Sequence, residues 1–100
     1  MKEEMYITIS DLDDYFVAGR VRPGMKMQLL KDHNNPYDDE AIQVRTERGE
    51  KCGYVANSVD SVCRGTYSAG HIYDCFAEES FCTVKFSGDN FAIAAMGDLA

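Results

Sequence analysis

Between Leu29 and Asn57 the chain reads LLKDHNNPYDDEAIQVRTERGEKCGYVAN, and this stretch most limits what the rest can fold into. Residues 41–45 alternate, with Ile42 and Val44 on one face and Gln43 and Arg45 on the other, the signature of a half-buried strand. Glu47 to Lys51, with Gly49 inside, reads as a turn into a second strand, Cys52 to Val55. Ahead of this pair stands Asn34-Asn35-Pro36-Tyr37-Asp38. Pro36 fixes its own φ and pushes Asn35 toward extended backbone. The short side chains of Asn34, Asn35 and Asp38 can bond neighbouring backbone groups and hold an irregular loop in one shape. Chemistry alone leaves two readings: a structural turn whose tyrosine packs back onto the fold, or a rigid loop presenting an aromatic face beside a carboxylate.

The flanking sequence repeats the strand-and-turn theme. Met5 to Ile9 alternates and is rich in β-formers, and Ser10 to Asp14 breaks it as an acidic turn. Tyr15 to Gly19 reads as a short strand. Arg22-Pro23-Gly24 is a turn, and Met25 to Leu29 alternates again with its methionines inward. A short helix is expected after Val55, capped by Asn57 or Ser58. Val59, Val62 and Cys63 would form its apolar face, and Gly65 or Gly70 its end. Residues 71–78 are ambiguous between strand and irregular structure. Phe81 to Phe86 and Phe91 to Met96 read as a final hairpin around Ser87-Gly88-Asp89-Asn90. Many short strands with one or two short α-helices predict a mainly β fold, a small closed or partly closed barrel.

At 100 residues this is one domain. It has no apolar run of membrane-spanning length and no secretory h-region at its start, which predicts a cytoplasmic protein. The four cysteines make no metal-binding spacing and are expected as reduced thiols. The net charge of −7 argues against a generic nucleic-acid coat, but the charge is uneven. Arg20, Arg22, Lys26 and Lys31 lie in a stretch without acids, directly before the Asn-Pro-Tyr-Asp loop. No hydrolase, metalloprotease or phosphate-loop motif is present, so no enzyme, no cofactor and no metal are expected. His33 with Asp38, Asp39 and Glu40 offers an oxygen-rich metal site as the competing reading, against simple solvated loop charges. Small barrels bind single strands by stacking bases on aromatics while cations track phosphates. Tyr37, Tyr54 and Phe91 fall where loops or strand ends could expose them, although each also reads as a core or rim residue.

The ordered pattern Asn-Pro-Tyr-Asp, then Ala41-Ile42-x-Val44, then Gly53-Tyr54-Val55 resembles the HIRAN domain. The likeness extends upstream through Val17-Ala18-Gly19-Arg20 and Met27-Gln28-Leu29. It reaches Phe91 downstream and spans about residues 14–97 of a single domain covering 1–100. The resemblance implies a six-stranded, OB-like barrel with two short helices, of the small stand-alone bacterial type. It implies a non-catalytic DNA-binding module of repair or replication that captures single-stranded 3′ ends beside a helicase or nuclease partner. By position, Tyr37 resembles the tyrosine that stacks on the terminal base, and Asp38 the carboxylate that accepts from the 3′-hydroxyl. Asn35 supports the loop, while Arg20, Tyr54 and Phe91 correspond to further pocket positions, with Arg22, Lys26 and Lys31 as supporting charge. Three departures stand out: Val21 where DNA-capturing members carry an aromatic, Asn57 in place of a base, and Glu40 in place of asparagine. They imply weaker DNA affinity, or a protein or small-ligand partner in the same pocket.

Overall fold

The fold is a closed barrel of six antiparallel strands, seen in a computed structural model that describes residues 4–12 and 21–96. The strands are β1 (Tyr6–Ser10), β2 (Lys26–Lys31), β3 (Ile42–Thr46), β4 (Lys51–Val55), β5 (Glu79–Ser87) and β6 (Ala92–Met96). Around the barrel they follow the order β1-β4-β3-β2-β5-β6, and β6 closes on β1. A short helix, α1 (Ala69–Ile72), and a 3₁₀ turn (Tyr73–Cys75) lie on the connection from β4 to β5. The expected strand at Tyr15–Gly19, and Arg20 after it, lie outside the described residues.

The alternation read from the sequence becomes the inside and outside of this barrel. Ile42 and Val44 of β3, Met27 and Leu29 of β2, and Cys82 and Val84 of β5 are all buried in one core with Ile7, Ile9 and Leu12. Phe86 breaks the pattern. Strict alternation would turn it inward with Cys82 and Val84, yet it is 54% exposed. A register shift between Val84 and Phe86 in the β5–β6 ladder accounts for this, because a bulge re-aims the side chains beyond it. Val21 is also buried and packs in the core.

The helix expected from a cap at Asn57 or Ser58 to Gly65 or Gly70 does not form with those bounds. Residues 58–62 make turns instead, with the Val62 amide donating to the Ser58 carbonyl at 3.0 Å, and Val59 is 95% exposed. Serine side chains compete with helix propagation here: the Ser61 hydroxyl donates to the Ser58 carbonyl at 3.2 Å and sits 2.9 Å from the Ser58 hydroxyl. The next amide, Cys63, is taken by the buried Thr8 hydroxyl at 3.1 Å. The helix starts at Ala69, six residues after Cys63, where the Ser68 hydroxyl caps the His71 amide. Residues 71–78, ambiguous in sequence, hold the end of α1 and the 3₁₀ turn.

All four cysteines are free thiols. Burial, with Cys52 nearby, pushes the Cys82 thiol up to about 12, whereas Cys75 is exposed. Since the thiolate is the nucleophile, Cys75 is expected to react rapidly with a maleimide at pH 7.5 in the native protein, and Cys52 and Cys82 only on unfolding. Mass spectrometry of a labelling time course checks this. Early modification of Cys82 would contradict the closed barrel.

Candidate functional site

The Asn-Pro-Tyr-Asp segment lies in the loop from β2 to β3 and is built by its own side chains. Asn35 Oδ1 accepts from the amides of Tyr37 at 2.8 Å and Asp38 at 3.1 Å. Asp38 Oδ1 then accepts from the Glu40 amide at 2.9 Å, and Asp32 Oδ1 from the Asn34 amide at 3.2 Å. Successive carboxylate and amide caps fix the backbone without regular structure. The Tyr37 ring is left 95% exposed, standing off the loop instead of folding onto the barrel. Of the two readings the loop sequence left open, the exposed aromatic beside a carboxylate is the one observed.

Asp38 faces a concavity of about 580 Å³ between the loop and the β1–β4 seam. Its wall includes Ser10, Asp11, Asn35, Tyr37, Tyr54 and Asn57. Asp38 Oδ2 accepts from Asn57 Nδ2 at 2.9 Å, and Asn57 Oδ1 accepts in turn from the Gly70 amide at 2.8 Å. Asn57 therefore ties the loop to α1. Gly70 lets the loop side chains approach closely: a Cβ there would stand 2.6 Å from Glu40 Oε1, which could swing away, and 3.2 Å from Asn57 Oδ1. Each Asp38 oxygen takes one of these protein donors. A carboxylate has about four lone-pair sites, so acceptor capacity remains toward the concavity.

Tyr54 is held from behind. Its hydroxyl donates to Asp32 Oδ2 at 3.0 Å and accepts from Lys51 Nζ at 2.6 Å. A hydrogen bond from Gln43, with others from Tyr54 and the Asn34 amide, holds Asp32 below the usual carboxylate range against the opposing effect of burial. This ionised Asp32 anchors both ends of the loop's frame: the tyrosine on β4 and the turn at Asn34.

The family model for the HIRAN domain matches residues 8–82, three quarters of the chain. The chain belongs to the HIRAN domain family. The crystal structure of the HIRAN domain of human HLTF is similar in fold, with a TM-score of 0.68 at 20% identity, over 93% of this chain and 72% of that one. No curated protein matches in sequence. HIRAN domains are known as DNA-binding modules without catalytic activity of their own.

Within this HIRAN domain, Asn35, Tyr37, Asp38 and Tyr54 converge on the one concavity. Phe91 does not line it. It belongs to the β5–β6 turn, where its ring tilts against Phe86 at 5.9 Å between centroids. The basic stretch disperses as well. Lys26 and Lys31 sit at opposite ends of β2: Lys26 Nζ lies over the Phe81 ring, and Lys31 Nζ lies over Tyr73 and donates to the Phe76 carbonyl at 2.7 Å. Arg22 is exposed in the turn before β2. His33 leaves the loop acids and pairs with Glu78 at 2.6 Å, and among the described residues no three His, Cys, Asp or Glu side chains gather as a metal site. Three contributors were missed in the sequence. Asn57 reads there as the loss of a cation, yet it positions Asp38. Ser10 and Asp11 read as a plain acidic turn, yet Asp11 adopts φ 67° at the concavity's rim, a conformation that Asp tolerates better than most residues.

Proposed function

We propose that this HIRAN domain binds single-stranded DNA and takes the 3′ end of the strand into the concavity beneath the Asn-Pro-Tyr-Asp loop, without catalysis. The observation that carries this reading is the fully presented Tyr37 ring on a loop pinned by Asn35 and Asp38. With the loop backbone already held, an exposed ring can stack on a base without the cost of ordering the loop, and stacking is worth about 1–3 kcal/mol per base with little sequence preference. Asp38 supplies the end chemistry: it accepts from a terminal 3′-hydroxyl and repels a terminal phosphate, with Asp11 adding to the repulsion. The domain would serve repair or replication beside a helicase or nuclease that acts on the captured end.

A second reading has one observation in its favour. The described residues lining the concavity include two carboxylates and no cation, which equally suits a peptide or small ligand rich in hydrogen-bond donors. Fluorescence anisotropy at low salt separates the two. A short strand ending in a 3′-hydroxyl is expected to bind about tenfold or more tighter than the same strand with a 3′-phosphate or a blunt duplex, the size of one charge-assisted hydrogen bond. Equal binding to all three, or none, removes the 3′-end reading and leaves the donor-rich ligand.

A further inference from the structure

The concavity at Asp38 does not end at Asn57. Asn57 and Ser58 form its far wall and, at the same time, the near wall of a second hollow of about 520 Å³. That hollow differs in charge. Among the described residues no carboxylate lines it, although the chain carries a net charge of −7, while Arg64 and His71 do. Among the described residues the Arg64 side chain has no carboxylate partner.

The second hollow is also built rigidly, by a buried polar residue. Thr8, the one buried polar side chain of the described residues, bonds outward from β1. Its hydroxyl accepts from the Cys63 amide at 3.1 Å and lies 2.8 Å from the Thr66 hydroxyl, which itself donates to the Cys63 carbonyl at 2.7 Å. These bonds clamp the turn that carries Arg64, with Gly65 at φ 89° beside it. Next along the chain, the Tyr67 amide donates to the Tyr6 carbonyl, and the ring of Tyr67 stacks on His71 at 4.5 Å and 17°. His71 is in turn held by the Ser68 cap. The result is a stacked aromatic pair, with Tyr67 37% exposed and His71 open to solvent, beside an exposed arginine on a clamped turn.

We infer that this hollow is a second DNA subsite, which takes the nucleotides 5′ of those seated in the first concavity: a base on the Tyr67–His71 pair and a backbone phosphate at Arg64. The inference rests on the single-strand reading of the first concavity. The division of charge is what a strand end requires. A hydroxyl terminus meets an acceptor, and the phosphates behind it meet a surface that carries Arg64 and His71.

The test compares 3′-hydroxyl strands of three and eight nucleotides, by anisotropy, on the wild type and on Arg64→Ala and His71→Ala. In the wild type the longer strand is expected to bind about tenfold tighter, and each variant to lose most of that gain while binding the trinucleotide within about twofold. Arg64→Ala should also flatten the dependence of log K on log salt by about 0.7, one phosphate contact on a single strand, and Arg64→Lys should restore the slope. Those shifts exceed what a merely structural role for two exposed side chains would produce. Equal affinity for both lengths, or a gain that survives both substitutions with an unchanged salt slope, overturns the second subsite. Failure of the wild type to bind even the eight-nucleotide strand overturns the end-binding reading itself.

Discussion

Tyr37→Ala is expected to weaken binding of a short 3′-hydroxyl strand by about 5- to 150-fold, the range spanned by loss of one base stack of about 1–3 kcal/mol. Its stability should stay within about 0.5 kcal/mol of wild type, because the ring is 95% exposed and surface substitutions away from special contacts rarely cost more. The loop should survive the change. Its shape comes from Asn35, Asp38 and Asp32 accepting backbone amides, and the Tyr37 amide remains in the alanine variant. Anisotropy and a urea melt on the same sample provide the two readouts. Unaltered binding would remove Tyr37 from the site. A parallel fall in urea midpoint would mean that the ring supports the fold and that the loss of affinity is indirect.

The contrast between Tyr37 and Asn57 explains how much of the site was legible in the sequence. The loop could be read because its chemistry is local: Asn35, Pro36 and Asp38 act on backbone within three residues of themselves. The strand faces were legible for the same reason, since a period of two carries its own register. Asn57 acts across nineteen residues on Asp38 and thirteen on Gly70, contacts that exist only once β4 and α1 are folded. The helix expected directly after Asn57 or Ser58 failed through another long-range contact. Val59, Val62 and Cys63 have helical spacing, but Thr8, fifty-five residues away, takes the Cys63 amide, and the serine pair offers the backbone an alternative. The bulge that turns Phe86 outward depends likewise on pairing with β6. Basic residues contiguous in sequence dispersed because Lys26 and Lys31 stand at opposite ends of one strand and lie on different aromatic rings.

A large loss of stability is expected from Gly53→Ala. Gly53 lies on β4 where β1 crosses it, and a Cβ there would stand 2.2 Å from the Ser10 carbonyl oxygen. That atom belongs to backbone, so no rotamer change relieves the clash and the two strands must part. The seam has little to spare, because β1 and β4 share just two paired positions, Ile9 with Val55 and Ser10 with Tyr54. Overpacking a buried site costs typically 1–3 kcal/mol, and a backbone clash belongs at the top of that range, so a loss of about 3 kcal/mol is expected. Against a total of about 5–15 kcal/mol this is a large share of the stability of a small barrel. Gly49→Ala is the control. Gly49 also resists substitution, through φ 90°, but open space surrounds its missing Cβ, so a cost of about 1–2 kcal/mol is expected from backbone strain alone. Urea midpoints of the two variants should therefore separate clearly, and similar midpoints would refute the close approach of β1 and β4. Ser10 and Tyr54 are also walls of the concavity, so opening the seam displaces the site. Gly53→Ala should lose DNA binding in step with stability, the inverse of Tyr37→Ala, and together the two variants separate the frame of the site from its contact surface.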